Sequence, residues 1–366
     1  MIFAIFNSLF TKICTSENGM IFSNDVFVYG RGFLKGKRRR IPEGGALVAE
    51  KEKKVKLQGA VRKVDKKVYL KRYWQLYALL ALPLIYLLVF KYIPMIYVQI
   101  AFKKYMLNKS VWAMPLAKNN GFEYYIKAFK DRDFINALRN TLLLNLKDLI
   151  FGFPAPIIFA LILNELPFKG FKKVVQTIAY MPHFLSWVII GSLSLQLFAQ
   201  NTGMVNMLIK NLGGESIPFI AESSHWVRNY IGWGIWQSFG WNSIVYLAAI
   251  AGISPDLYEA ASMDGAGRFQ KMWHITLPGL KPTIVVLLIL NLGYIMGGGM
   301  ERPMAMYNNL VMDKADVIAT YVYRVGIKGL QFSLTTAVGL FQSVIGVILI
   351  LGANFISRKL GERGIW

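Results

Sequence analysis

The chain has 366 residues, 55% of them hydrophobic, and still carries a formal net charge of +22. Soluble domains rarely combine the two, so apolar and basic residues must be segregated along the sequence. One cysteine, Cys14, and three histidines leave no internal disulfide, no Cys-based metal site and little scope for redox chemistry. No RNA- or DNA-binding motif accompanies the charge, which sets nucleic acid aside as a partner.

In chain order, the apolar stretch 1–6 is too short to span a membrane and lacks a basic n-region with a cleavage site. A disordered or interfacial leader and a mis-assigned start codon explain it equally well. Lys and Arg dominate 31–72, including Lys37-Arg38-Arg39-Arg40, and Pro42-Glu43-Gly44-Gly45 has the composition of an unfolded segment. Residues 1–70 are therefore expected to form a basic, poorly ordered cytoplasmic extension, ahead of one transmembrane domain over 71–366. A bilayer core of about 30 Å takes about 20 apolar residues of helix. Six segments meet that requirement, near 74–100, 138–163, 174–198, 230–253, 282–299 and 334–356. None alternates as a barrel strand would, so the fold class is an all-α membrane protein with six transmembrane helices.

Basic residues beside the spans set orientation and meet anionic lipid. With six spans, the N-terminal segment, the link Phe168-Lys169-Gly170-Phe171-Lys172-Lys173, the loop holding Glu259 and the tail Arg358-Lys359 share one side, expected to be cytoplasmic. The stretch between the first two spans opposes this with Lys103, Lys104, Lys109, Lys118, Lys127, Lys130 and Arg132, offset in part by Glu123, Asp131 and Asp133. A folded loop can cross despite its charge, so both termini are still placed inside.

Between the fourth and fifth spans, residues 254–282 begin Ser254-Pro255-Asp256-Leu257-Tyr258-Glu259-Ala260-Ala261-Ser262-Met263-Asp264-Gly265. Ser254 suits the N-cap, Pro255 the first helical position, Asp256 the positive end of the dipole and Gly265 the stop, which predicts a short surface helix. Farther on, Ile275-Thr276-Leu277-Pro278 is expected to break a second helical piece at the proline, before Pro282 opens the next span.

That pattern resembles the EAA loop of binding-protein-dependent ABC importers: Glu-Ala-Ala, three residues, Gly, nine residues, Ile, one residue, Leu-Pro. All seven specified positions match, a coincidence of roughly one window in 10⁸ at ~7% usage per residue. Phe90-Lys91-Tyr92-Ile93-Pro94-Met95, Asn140-Thr141-Leu142, Tyr180-Met181-Pro182-His183-Phe184 and the ending Arg358-Lys359-Leu360-Gly361-Glu362-Arg363-Gly364-Ile365-Trp366 are similar to the carbohydrate-uptake branch. Within it they are most similar to oligosaccharide permeases of the lipoprotein-associated type. The resemblance covers about 69–366. It implies the type I importer permease fold, with a cytoplasmic coupling helix in which Glu259, Ala260, Ala261, Asp264, Gly265, Leu277 and Pro278 dock on an ATPase.

The partners it implies are a second homologous permease, two ATPase subunits, an extracytoplasmic solute-binding protein and an oligosaccharide, with uronate-bearing chains among the candidates. The chain has no Gly-x-x-x-x-Gly-Lys-Ser/Thr loop, so ATP and Mg are expected on the ATPase subunits and no cofactor, metal or catalytic residue is assigned here. Peptide or another small nutrient is an alternative cargo, and an enzyme of envelope polysaccharide is a reading from another class.

A sugar offers hydroxyls to amides and C–H faces to aromatic rings. Trp233, Trp236, Gln237, Trp241 and Asn242 of the fourth span and Asn291 and Tyr294 of the fifth are the candidate path residues, with Trp233, Trp236 and Gln237 on one helical face. The same tryptophans would equally serve an interfacial belt or helix packing. Gly297-Gly298-Gly299 suggests a helix end or hinge, and His183 a packing role; Glu301 and Arg302 read first as a solvated ion pair, with contact to a charged sugar or to the solute-binding protein as the alternative. Lys147 and Asp148 would be costly facing lipid and should turn toward protein or water, with snorkelling and subunit packing ranked ahead of a place in an anionic-substrate path.

Overall fold

The computed structural model describes residues 66–359, 361, 364 and 365. The extension expected over 1–70 therefore lies outside the described residues up to position 65, as does Cys14. The chain divides into two units, Met1–Ile85 and Tyr86–Trp366. In the first, the described structure is a helix that starts at Lys66 and runs to Leu87. Its large apolar side chains, Trp74, Leu79 and Leu82 among them, are exposed.

Four helical stretches are long and apolar enough to cross a membrane: Lys71–Phe102, Arg132–Asn164, Arg268–Gly293 and Phe332–Lys359. Two bent pairs raise the number to six if each is one span: Lys169–Phe184 with Trp187–Phe198, bent by 99°, and Ser223–Ala251 with Pro255–Met263, bent by 70°. Among the described residues there is no β-strand, and a lone antiparallel bridge joins Lys103 to Leu116.

The third segment, expected as one helix over 174–198, is broken. Pro182 tightens Met181–Phe184 into a 3₁₀ turn, and Ser186 then starts a new helix by accepting the Ile189 N–H at 3.4 Å. The fifth segment also differs. Instead of breaking at Pro278, the helix runs from Arg268 to Gly293, and Gly297–Gly299 lie beyond its end, where three glycines would each weaken a helix.

The reason Pro278 is tolerated recurs. Wide π-turns at Leu88–Tyr92, Asp148–Gly152 and Met272–Thr276 each end two residues before a proline: Pro94, Pro154 and Pro278. Proline has no N–H to donate and crowds the carbonyl one turn back, and a turn closed by i→i+5 bonds absorbs both defects without ending the helix.

In the second unit, Trp226, Tyr230 and Trp233 bury themselves against Ile190 and Met306, while Phe134, Tyr321 and Val338 form another cluster. Ile157 and Ala160 pack on Tyr246, Ile250 and Leu280, which sets helices Pro154–Asn164 and Ser223–Ala251 side by side. Asn140 and Thr141, on the helix Arg132–Lys147, fasten the segment 313–318. The Asn140 amide donates to Asp313 O (2.7 Å) and Asp316 O (2.9 Å), and the Thr141 hydroxyl accepts the Ile318 N–H (2.9 Å). Arg324 reinforces that join, donating to the buried Asp316 carboxylate at 2.6 Å and to Asp133 at 3.2 Å. Burial pushes the Tyr321 hydroxyl well above its usual range, and its 2.6 Å hydrogen bond to Asp131 adds to the shift.

Candidate functional site

The loop after Ser223–Ala251 forms the helix Pro255–Met263. Ser254 holds the N-cap position, but its hydroxyl donates to the Asp256 carboxylate (3.2 Å) rather than accepting a backbone N–H. The C-terminal stop is complete: the Ala266 N–H donates to Ala261 O and the Gly265 N–H to Ser262 O. Gly265 supplies the required left-handed backbone at φ +78°.

The helix is braced from behind. The hydroxyls of Tyr258 and the fully buried Thr276 lie 3.0 Å apart, and Lys271 donates to Ser262 Oγ at 2.7 Å. Away from these braces, Glu259, Ala260, Asp264, Gly265 and Pro278 are exposed and Ala261 and Leu277 half-buried. Leu257, Met263, Phe269 and Trp273 are exposed beside them. A charged, small-residue ridge flanked by unburied large apolar side chains is suited to contact another protein.

A cavity of about 530 Å³ opens between four stretches of chain. Asn145 and Asp148 come from the stretch Arg132–Asn164, Ser238, Trp241 and Asn242 from Ser223–Ala251, Asn291 and Tyr294 from the C-terminal end of the helix Arg268–Gly293, and Arg302 from the short helix Glu301–Ala305. Of the path candidates, the structure thus brings together Trp241, Asn242, Asn291 and Tyr294. It does not bring in Trp233, Trp236 or Gln237. The cavity face of the long helix follows Gly234, Ser238, Trp241 and Val245, spaced four, three and four apart, which leaves Trp233 and Trp236 on another face. There they line a separate apolar groove with Leu197 and Phe198, and Gln237 donates to His183 O at 3.3 Å.

His183 stacks on Trp241, ring centroids 4.5 Å apart and planes within 4°, which fixes the indole at the cavity wall. The Asn291 amide donates to Leu287 O (2.8 Å) and the Asn145 amide to Ile295 O (2.8 Å), so both carboxamides are held in place.

Glu301 and Arg302 do not form the expected solvated pair. Arg302 turns inward and forks onto Asp148, with Nη1 donating to Oδ2 at 2.6 Å and Nη2 to Oδ1 at 3.2 Å. Its guanidinium also donates to Tyr230 O and lies 3.7 Å from the centre of the Tyr230 ring. Gly234 faces it, and a Cβ there would overlap the guanidinium. Sequence reasoning had placed Asp148 off the lipid but had not joined it to Arg302. The signal was an acidic residue midway along a span with no basic neighbour on its own helical face, which calls for a distant partner. Among the described residues no group of three His, Cys, Asp or Glu side chains could hold a metal ion.

Comparison with known proteins points one way. The family described as "Binding-protein-dependent transport system inner membrane component" matches residues 135–362. Protein LplB of Bacillus subtilis (strain 168) is 46% identical over 297 residues, covering 81% of this chain and 92% of LplB. The polygalacturonan/rhamnogalacturonan transport system permease protein YteP of the same organism is 41% identical over 337 residues, covering 91% of this chain and 100% of YteP. A chain in the crystal structure of a bacterial alginate ABC transporter, solved in complex with an alginate pentasaccharide-bound periplasmic protein, superposes with a TM-score of 0.73. It is 41% identical, and the match covers 81% of this chain and 98% of that one.

Proposed function

Because the chain belongs to the family of binding-protein-dependent transport system inner membrane components, we propose that it is the permease half through which an oligosaccharide, with uronate-bearing chains foremost, enters the cell. Its fold is that of type I ABC importer permeases, and it is a transport subunit rather than an enzyme. The observation that carries the sugar reading is the cavity: aromatic Trp241 and Tyr294 for C–H faces, Asn145, Asn242 and Asn291 for hydroxyls, and one Arg302 guanidinium for a carboxylate. The names of YteP and of the alginate transporter support acidic sugars as the class.

In this reading a second homologous permease completes the path, and two ATPase subunits hold ATP and Mg. An extracytoplasmic solute-binding protein delivers the sugar. Both termini and the loop 254–282 lie on the cytoplasmic side. The ridge of Glu259, Ala260, Ala261, Asp264 and Gly265 seats on the ATPase, with Leu277 and Pro278 at the exit of the loop. Closure of the ATPase pair then rocks the spans as rigid bodies and exposes the cavity to each side in turn.

The test is the complete complex in liposomes with its binding protein. Oligogalacturonide should stimulate ATP hydrolysis and accumulate inside. Stimulation by peptides and not by sugars would overturn the cargo, and glycan cleavage by the isolated chain would overturn the transport role.

A further inference from the structure

The Arg302–Asp148 pair belongs to two cavities at once. Beside the cavity of about 530 Å³ lies a smaller one of about 300 Å³, lined by Thr141, Trp187, Tyr230, Gly298 and Gln342 among others. Three residues line both: Asn145, Asp148 and Arg302. Along the span Arg132–Asn164, Thr141 faces the smaller cavity alone and Gly152 and Pro156 the larger alone, so the shared residues are a partition between successive chambers. The larger chamber is the one toward the loop 254–282, since it reaches Val245 and Tyr246 near the end of the helix that leads into that loop.

The construction of this partition is specific. Asp148 opens the π-turn Asp148–Gly152, an irregularity often found at functional positions in helices. Arg302 follows the non-helical Gly297–Gly299 stretch on a five-residue helix, so it is carried by a connecting segment rather than by a span. Its Nε is buried without a hydrogen-bond partner, so the fork onto Asp148 and Tyr230 O uses only Nη1 and Nη2. Glu301, the other charged residue of the smaller cavity, is exposed and does not pair with it.

We propose that Arg302 is the residue that selects acidic sugars, and that the partition opens when a sugar carboxylate takes the place of Asp148 on its guanidinium. This rests on the permease reading above and assigns the choice of charge to one side chain. A carboxylate on the sugar presents the same two oxygens as Asp148, so exchange conserves the forked charge-assisted pair on Arg302 and releases Asp148, whose side chain is 28% exposed and lines both chambers, to water, while Tyr230 and Trp187 keep the guanidinium plane in position. A neutral sugar offers no such exchange and meets a closed wall.

The experiment uses the complete complex with its binding protein in liposomes and two probes: trigalacturonate, and the same trimer with its carboxyls reduced to alcohols. The readout is the ratio of their uptake rates. The binding protein is the same for every variant, so its own preference cancels when ratios are compared. Removing both charges together, R302Q with D148N, avoids leaving one ion buried alone, and Gly234→Ala crowds the guanidinium while keeping both charges.

In variants that co-purify as assembled complexes, the charged-to-neutral ratio should fall about tenfold or more, the value of a charge-assisted hydrogen bond. An assembled variant of either kind that keeps the wild-type ratio overturns the proposal. So does a wild-type complex that takes both trimers equally well, which leaves the permease reading standing. A wild-type complex that moves neither trimer overturns the acidic-sugar cargo and this inference with it.

Discussion

Replacing Gly265 separates two explanations of why the loop needs glycine. Its φ of +78° lies in the left-handed region, and a Cβ built there meets nothing within 4 Å. Within this chain the cost is therefore backbone conformation alone, about 1–2 kcal/mol for an ordinary residue. That corresponds to about a 5–30-fold loss of correctly terminated loop. Asn tolerates this conformation and should lose much less. If only correctly terminated loops engage the ATPase, hydrolysis stimulated by the sugar-loaded binding protein should rank Gly above Asn, Asn above Ala, and Ala above Val. Equal activity of Gly, Ala and Val would refute the reasoning. Asn as poor as Val would shift the cause from the backbone to a clash in the partner's groove.

Tyr258→Phe removes the hydroxyl contact with Thr276 and should cost about 1 kcal/mol; faster amide exchange in 255–263 would register it, and unchanged exchange would deny the brace. Asp316→Ala leaves Arg324 with only the exposed Asp133 and should lower stability by about 2 kcal/mol, less than breaking a fully buried pair because Arg324 is one-third exposed and keeps that second carboxylate. A melting temperature equal to wild type would sink that account. Trp241→Ala should reduce sugar uptake in assembled complex, whereas Trp236→Ala, which lines the other groove, should not change discrimination among sugars. The raised Tyr321 hydroxyl keeps its proton in the fold after the unfolded chain has released it. Its contribution is full below about pH 10 and lost as pH rises toward the folded value. Tyr321→Phe should flatten that alkaline decline of stability, and an identical pH profile would argue against it.

Much of this arrangement was written locally. The apolar runs announced the spans, and Pro255 and Gly265 bracketed the loop helix because their constraints act on their own backbone. The break at Pro182 and Ser186 was less legible, since apolar residues continue across it and hydropathy does not register direction. Prolines misled at Pro278 for a physical reason: a π-turn upstream accepts the missing donor, and no local pattern distinguishes that outcome from a stop. Trp233 and Trp236 shared a face as read, but which face looked inward depended on Gly234 making room for Arg302. The Arg302–Asp148 contact joins residues far apart in sequence, so single-residue chemistry could signal a need for partners without saying which.

Whether sugar passes the chamber of Trp241, Asn242, Asn291 and Tyr294 decides the transport path. A photoreactive oligogalacturonide, activated during ATP-driven turnover of the full complex and followed by peptide mapping, measures this. Adducts should concentrate on these residues and on Asn145, and should depend on ATP. Labelling confined to the groove of Trp233 and Trp236, or labelling of the chamber residues that is indifferent to ATP, would contradict it.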